Sequence, residues 1–244
     1  MSKSRGFYYV LIPADPDLTL MEHYLSYSDE TETSCLTDRL KSYFQNCKGL
    51  HSSVIQSEIL RSQLEEGLKK ENCHREIDEN MMNLLHEMQV VDIIALKPNA
   101  PVHQFVGVNM YVDDKAVSKG LPVNSRATSL AQLCGLTTEV RGDAFVAKVF
   151  ENTKEEFKRL DFRLSECRSE AAWISEAKLF NTKKAQGLVR DGVFITPPIL
   201  CANLGCYEKG TKTCSACLKT KYCSFRCQKE DWQRHKLDCK ENKN

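Results

Sequence analysis

Between Cys201 and Cys239 the chain reads Cys-x4-Cys-x7-Cys-x2-Cys-x5-Cys-x3-Cys-x7-His-x3-Cys, seven cysteines and one histidine in 39 residues. No other feature of the 244 residues limits the fold as much. The other five of the twelve cysteines (Cys35, Cys47, Cys73, Cys134 and Cys167) are scattered over the first 200 residues. Crowded thiols mean either a disulfide framework or metal ligation, and the redox compartment decides between them. The opening stretch MSKSRGFYYVLIPADPD has no apolar core of the secretory type, so no leader is expected. The longest apolar runs, such as VVDIIAL from Val90 to Leu96, are too short to cross a bilayer. The expectation is a chain of the cytoplasm or nucleus, away from membranes, whose clustered cysteines ligate metal.

The ligand count supports zinc. Structural zinc takes four ligands in a tetrahedron, so eight ligands close two sites with none left over. His235 is the only histidine of the segment and falls where the eighth ligand is needed. The pattern lacks the compact cysteine runs of iron–sulfur proteins. Both Cys223/Cys227 and His235/Cys239 have i, i+4 spacing, which places each pair on one helix face. If one helix carries all four, Cys227 and His235 lie roughly 12 Å apart along its axis, too far for one ion with bonds of about 2.3 Å. The pairs therefore serve different ions. Sequential use of the ligands is excluded, while an interleaved and a nested pairing both remain.

The rest of the chain reads as α+β. FYYVLIP (Phe7 to Pro13), VVDIIAL, FVGVNMYV (Phe105 to Val112) and GDAFVAKVF read as strands, and RLDFRLSE suits a short one. In FVGVNMYV, Val106, Val108, Met110 and Val112 share a face. ADPDLTLMEHYLSYSDETE has no clear period. Helical spacing appears at Leu36, Leu40 and Phe44, and after Ser53 with Gln56 in capping-box register. It is strongest at Ile77, Met81, Leu84, Leu85 and Met88. Asn124 is placed to cap SRATSLAQLCG, which Gly135 ends, and EAAWISEAKLF is a further helix. Asp113-Asp114 reads as a solvated turn, and Cys73-His74 as an adjacent pair with no partner acid. Glycine and proline accumulate as periodicity fades after Asn181. The expected organisation is an α+β domain over 1–180, a connector over 181–200 and a small metal module over 201–239.

Beyond the ligands, Tyr222 precedes Cys223, Gln228 follows Cys227, and Asp231-Trp232 precedes His235. With these residues the segment Cys201–Cys239 resembles a MYND-type zinc finger, departing from it only in the wider Cys201-x4-Cys206 pair. The resemblance implies two structural zinc ions in an interleaved pairing. Cys201, Cys206, Cys223 and Cys227 would hold one, and Cys214, Cys217, His235 and Cys239 the other. It further implies a protein-interaction module that takes a proline-containing peptide along a shallow groove, with Ser215, Gln228 and Trp232 at the groove positions. Trp232 also suits the core of so small a module.

The leading expectation is thus a non-enzymatic adaptor. From Cys201 onward there are ten Lys or Arg and five Asp or Glu, and two zinc ions with seven thiolates add a formal −3. The folded module is only mildly positive, so a nucleic-acid or transcription-linked role is the alternative and not the first reading. A second alternative is an enzyme with a site in the first domain around Asp113, Asn124 and Asp143. The lysine methyltransferases that carry this finger have an Asn-His-Ser-Cys-type stretch and a Gly-rich cofactor loop, and neither occurs here.

Overall fold

The computed structural model describes residues 5–28, 31–72, 77–87, 91–196, 199–206 and 208–240. The chain divides into two compact units, Met1–Phe194 and Ile195–Asn244.

The first unit is α+β. In chain order it comprises β1 (Arg5–Ile12), β2 (Met21–Tyr27), α1 (Cys35–Asn46), α2 (Ser53–Lys70), α3 (Glu79–Glu87), β3 (Val91–Lys97), β4 (Val106–Asp113), α4 (Ala116–Lys119), α5 (Ser125–Leu133), β5 (Ala144–Glu151), β6 (Phe157–Leu160), α6 (Ala172–Ala185), β7 (Val189–Arg190) and β8 (Val193–Phe194). Six strands form one antiparallel sheet in the order β2-β1-β5-β4-β3, with β6 also paired to β5.

Side chains alternate across a strand with period two, and here both faces are covered. Phe7, Tyr9 and Leu11 of β1, Tyr111 of β4 and Phe145 of β5 pack with Leu36, Leu40 and Phe44 of α1. Val10 and Ile12 of β1, Val108, Met110 and Val112 of β4 and Val146 of β5 pack with Ala127, Leu130, Trp173, Ile174 and Ala177 from α5 and α6. A central strand buried on both faces loses the polar half of its alternation. β4 accordingly buries Tyr111 opposite the face set by Val108, Met110 and Val112.

Several local expectations change. The aperiodic stretch after Pro13 contains β2, an edge strand with no fully buried residue, which leaves only a weak period. α2 is capped by Ser52 rather than Ser53: Ser52 Oγ accepts from Ile55 N–H (3.5 Å), and Gln56 Nε2 donates to the His51 carbonyl (2.8 Å). α2 buries none of its residues. Among the described side chains of α3, Met82 is buried and Leu84 is exposed, and Met88 lies outside the described residues. Cys73-His74 lies outside them as well.

The expected connector over 181–200 begins too early. α6 continues to Ala185, and the buried Asn181 donates through Nδ2 to the carbonyls of Leu96 (2.9 Å) and Cys134 (2.8 Å). Gly192 is not linker: Asp191-Gly192 is a two-residue turn with φ of 50° and 72°, joining β7 to β8. Phe194 then packs on Phe180, ring centroids 5.9 Å apart. The first unit therefore runs to Phe194, and Pro197 and Pro198 lie outside the described residues.

Candidate metal centre

The second unit is built from β9 (Lys212–Thr213), β10 (Lys221–Tyr222) and α7 (Phe225–Lys240). β9 and β10 pair antiparallel, and the chain between them makes a tight knuckle. Cys214 N–H donates to the Thr220 carbonyl and Leu218 N–H to the Cys214 carbonyl, both at 2.9 Å, while Leu218 takes a left-handed φ of 55°. Two residues between Cys214 and Cys217 thus suffice to turn both thiols inward. α7 begins just after Cys223, where Ser224 Oγ accepts from Cys227 N–H (3.2 Å) in the manner of an N-cap.

Two tetrads result. Cys201, Cys206, Cys223 and Cys227 form one; Cys214, Cys217, His235 and Cys239 form the other; the donor atoms of each lie within 4.8 Å of one another. Cys227 and His235, on the same helix, fall in different tetrads, and the pairing is interleaved rather than nested. All eleven described cysteines are free thiols.

The spacing tests the fit to zinc. Four thiolates about 2.3 Å from a tetrahedral zinc lie about 3.8 Å from each other. In the first tetrad the sulfur–sulfur separations are 3.7 Å (Cys206–Cys223), 3.4 Å (Cys223–Cys227) and 3.9 Å (Cys206–Cys227). In the second, Cys214 and Cys239 are 4.0 Å apart, and Cys217 Sγ is 3.6 Å from His235 Nε2. The donor sets, all sulfur in one and three sulfurs with one imidazole in the other, suit zinc. Each tetrad is complete in protein ligands, so neither leaves the open coordination position that a catalytic zinc needs.

The protonation preferences show what the ion must do. Backbone N–H groups of Thr220 and Lys219 hold the Cys217 thiol down to about 6. The Asn203 side chain, then Cys223, lower Cys227 to about 7. Their neighbours move the other way. Cys223 is pushed up to about 12, first by its hydrogen bond with Cys227, and Cys239 up to about 11 by burial and then by Cys214. Burial alone would lower His235, but Cys214 and Cys217 raise it on balance. Thiols this close cannot all ionise without a cation between them, and a divalent ion displaces the remaining protons.

A second set of residues holds the ligands. Thr220 Oγ1 lies 3.4 Å from His235 Nδ1, which leaves Nε2 toward the thiols. Tyr222 is fully buried and donates to Asp231 Oδ2 (2.8 Å). Arg234 grips Asp231 with two donors (2.8 and 2.9 Å) and reaches the Ala202 carbonyl (2.6 Å). Asp231 thereby ties the knuckle, the first turn and α7 together. Tyr222 and Asp231 stand out in the sequence as features beyond the ligands, but Thr220 and Asn203 carry no signal in the spacing.

The three expected groove residues separate by exposure. Ser215 is exposed on the knuckle, Gln228 is half-buried, and Trp232 is 43% exposed. Tyr222, not Trp232, fills the core of the module. The indole instead lies edge-on to the His235 ring, centroids 6.0 Å apart. Gln228 and Trp232 are four residues apart on α7 and share a face.

Asp113, Asn124 and Asp143 are each engaged in hydrogen bonds within the first unit. Asp113 is buried, against the expectation of a solvated turn. Its Oδ2 accepts from Lys119 Nζ (2.7 Å), which also donates to the Phe44 carbonyl (2.7 Å). The cause is Gly120: its left-handed φ of 69° ends α4, folding the turn back so that Lys119 points inward. Asn124 caps α5 through the Ala127 N–H and donates to the carbonyls of Ile12 and Gly142 (both 2.9 Å). Asp143 accepts from Ala14 N–H and the Tyr43 hydroxyl. All three serve the fold. No described helix is long and apolar enough to cross a membrane.

A small unit in which one helix and one knuckle share two interleaved tetrads is a double zinc finger with structural metals. Residues 201–239 match the family model described as MYND finger, and the module is a MYND finger binding two zinc ions. Deformed epidermal autoregulatory factor 1 of Drosophila melanogaster is 45% identical over 42 residues, 17% of this chain and 7% of that protein. N-lysine methyltransferase SMYD2 of Gallus gallus is 46% identical over 37 residues, 14% of this chain and 8% of that protein. This chain thus covers under a tenth of either relative's length. The crystal structure of small RNA methyltransferase HEN1 overlaps 68% of this chain and 16% of its own at a TM-score of 0.36 and 16% identity, too weak a likeness to indicate a common fold or activity.

Proposed function

We propose that this protein is a non-enzymatic interaction adaptor whose finger captures a proline-containing peptide of a partner protein. In this reading Cys201, Cys206, Cys223 and Cys227 hold one zinc, and Cys214, Cys217, His235 and Cys239 hold the other. Ser215, Gln228 and Trp232 form the peptide groove. The observation that carries it is the half-exposed indole of Trp232 beside a zinc-ligating imidazole. The metal tetrad fixes the helix, so the ring is a rigid platform presented at little entropic cost. Indole faces suit proline rings, and Gln228 offers both a donor and an acceptor to a peptide backbone. The first unit supplies a separate contact surface, which makes the chain a bridge. Trp232→Ala tests the groove: two equivalents of zinc by atomic absorption with loss of proline-peptide binding supports it. Retained zinc with unchanged binding of every partner removes it.

A further inference from the structure

The face of α7 that carries Trp232 also carries an uncompensated row of ammonium groups. Lys229 and Lys236 sit three residues before and four after Trp232, so the indole is bracketed by both. One turn further toward the start of the helix, Phe225 is 72% exposed, and Lys212 Nζ lies 4.5 Å from its ring centroid. Rings and ammonium groups alternate along the stripe: Lys212 over Phe225, then Lys229, Trp232 and Lys236. It runs about 16 Å at 1.5 Å per residue, the reach of about five residues of an extended peptide.

The two carboxylates flanking this stretch of α7, Glu230 and Asp231, are bonded to other groups. Asp231 is buried and taken by Tyr222 and Arg234. Glu230 is taken by Arg226 (2.8 Å) and Asn203 (2.9 Å). Lys236 bonds to the neutral Gln233 amide. Among the described residues no acidic side chain pairs with Lys212, Lys229 or Lys236. Glu230 and Asp231 are thus engaged elsewhere, while these lysines stay on the side of the exposed rings.

Resting on the proline-peptide reading above, we infer that the segment captured here is acidic, with aspartate or glutamate on both sides of its proline-bearing core. Lys229 and Lys236 meet these carboxylates while Trp232 takes the core. The lysines are at the surface, so each contributes modestly and in a salt-dependent way. Together they select among peptides with the same core.

The test is fluorescence anisotropy with the full zinc-loaded chain and three labelled peptides sharing one proline-leucine core, flanked by glutamate, glutamine or lysine. The expected result is about tenfold tighter binding of the glutamate peptide than of the glutamine peptide at low salt, from two pairs toward the upper end of the surface-pair magnitude. That advantage should shrink toward unity at about 1 M salt, where the screening length falls to about 3 Å. Lys229→Glu with Lys236→Glu should invert the order, favouring the lysine-flanked peptide at unchanged zinc content. Equal binding of the three peptides, all lost in Trp232→Ala, overturns the charge selection and leaves the groove reading standing. No binding of any peptide overturns both. A proline-free acidic peptide or a DNA oligonucleotide binding as tightly as the glutamate peptide also overturns the inference, because the row would then be reading charge alone.

Discussion

Zinc removal is the perturbation that most directly probes this architecture. The core of the second unit is Cys201, Cys214, Cys217, Cys239 and Tyr222, so four of its five buried apolar positions are metal ligands. Burying the one remaining large side chain contributes about 1.5–3 kcal/mol, against about 10–16 kcal/mol for structural zinc in comparable peptides. Metal thus outweighs packing several-fold, and α7 should not persist without it. The tetrads also differ. Every ligand of the His235 tetrad is buried, whereas Cys206, Cys223 and Cys227 are half-buried. A chelator should take the first zinc from the all-cysteine tetrad and the second more slowly. The assay is release to a chromophoric indicator, with circular dichroism and limited proteolysis in parallel. The expected record is two phases of one equivalent each, loss of the 16-residue α7, and a protease-resistant fragment ending near Phe194. Release in one phase would refute the burial argument. Collapse of all secondary structure would refute the independence of the first unit, and a persistent α7 would refute metal as its support.

Three further outcomes are expected. Apparent zinc affinity should fall more steeply with pH below about 7 and again below about 6, where Cys227 and Cys217 of the metal-free module take up protons that the ion must displace. Their folded values lie below that of a free thiol, so their contribution is present at high pH and lost on acidification, which a zinc-release titration reads directly. Tyr222→Phe removes one bond to the buried Asp231 and should cost about 1–3 kcal/mol, seen as weaker zinc affinity with the first unit's unfolding unchanged. Asn124→Ala strands the carbonyls of Ile12 and Gly142 and uncaps α5, so it should cost about 2–4 kcal/mol in urea unfolding of the first unit while both zinc ions stay bound.

The sheet was legible where burial leaves a mark on composition. β1, β4 and β5 appear as apolar runs because most of their residues face one of two cores, and β3 reads as one although only Val91, Leu96 and Lys97 of it are buried. β2 does not, because an edge strand with half-buried side chains needs no such run. Asn124 is readable as a cap from its place before a helical period, but its two further bonds are not, since they reach residues 112 positions back and 18 ahead in the chain. Asp113 reads as solvated because nothing local announces the ion pair with Lys119 that Gly120 makes possible.

The metal module divides the same way. The chain alone determined that eight ligands close two four-fold sites, and that Cys227 and His235 cannot share an ion, because both follow from coordination number and helix rise. Which knuckle closes on which half of α7 was decided only in three dimensions. That choice depends on how the β9–β10 hairpin lies against the helix, held by Tyr222, Asp231 and Arg234. Sequence spacing reports which ligands are neighbours along the chain. Their partners across the fold follow from packing between segments that spacing does not encode.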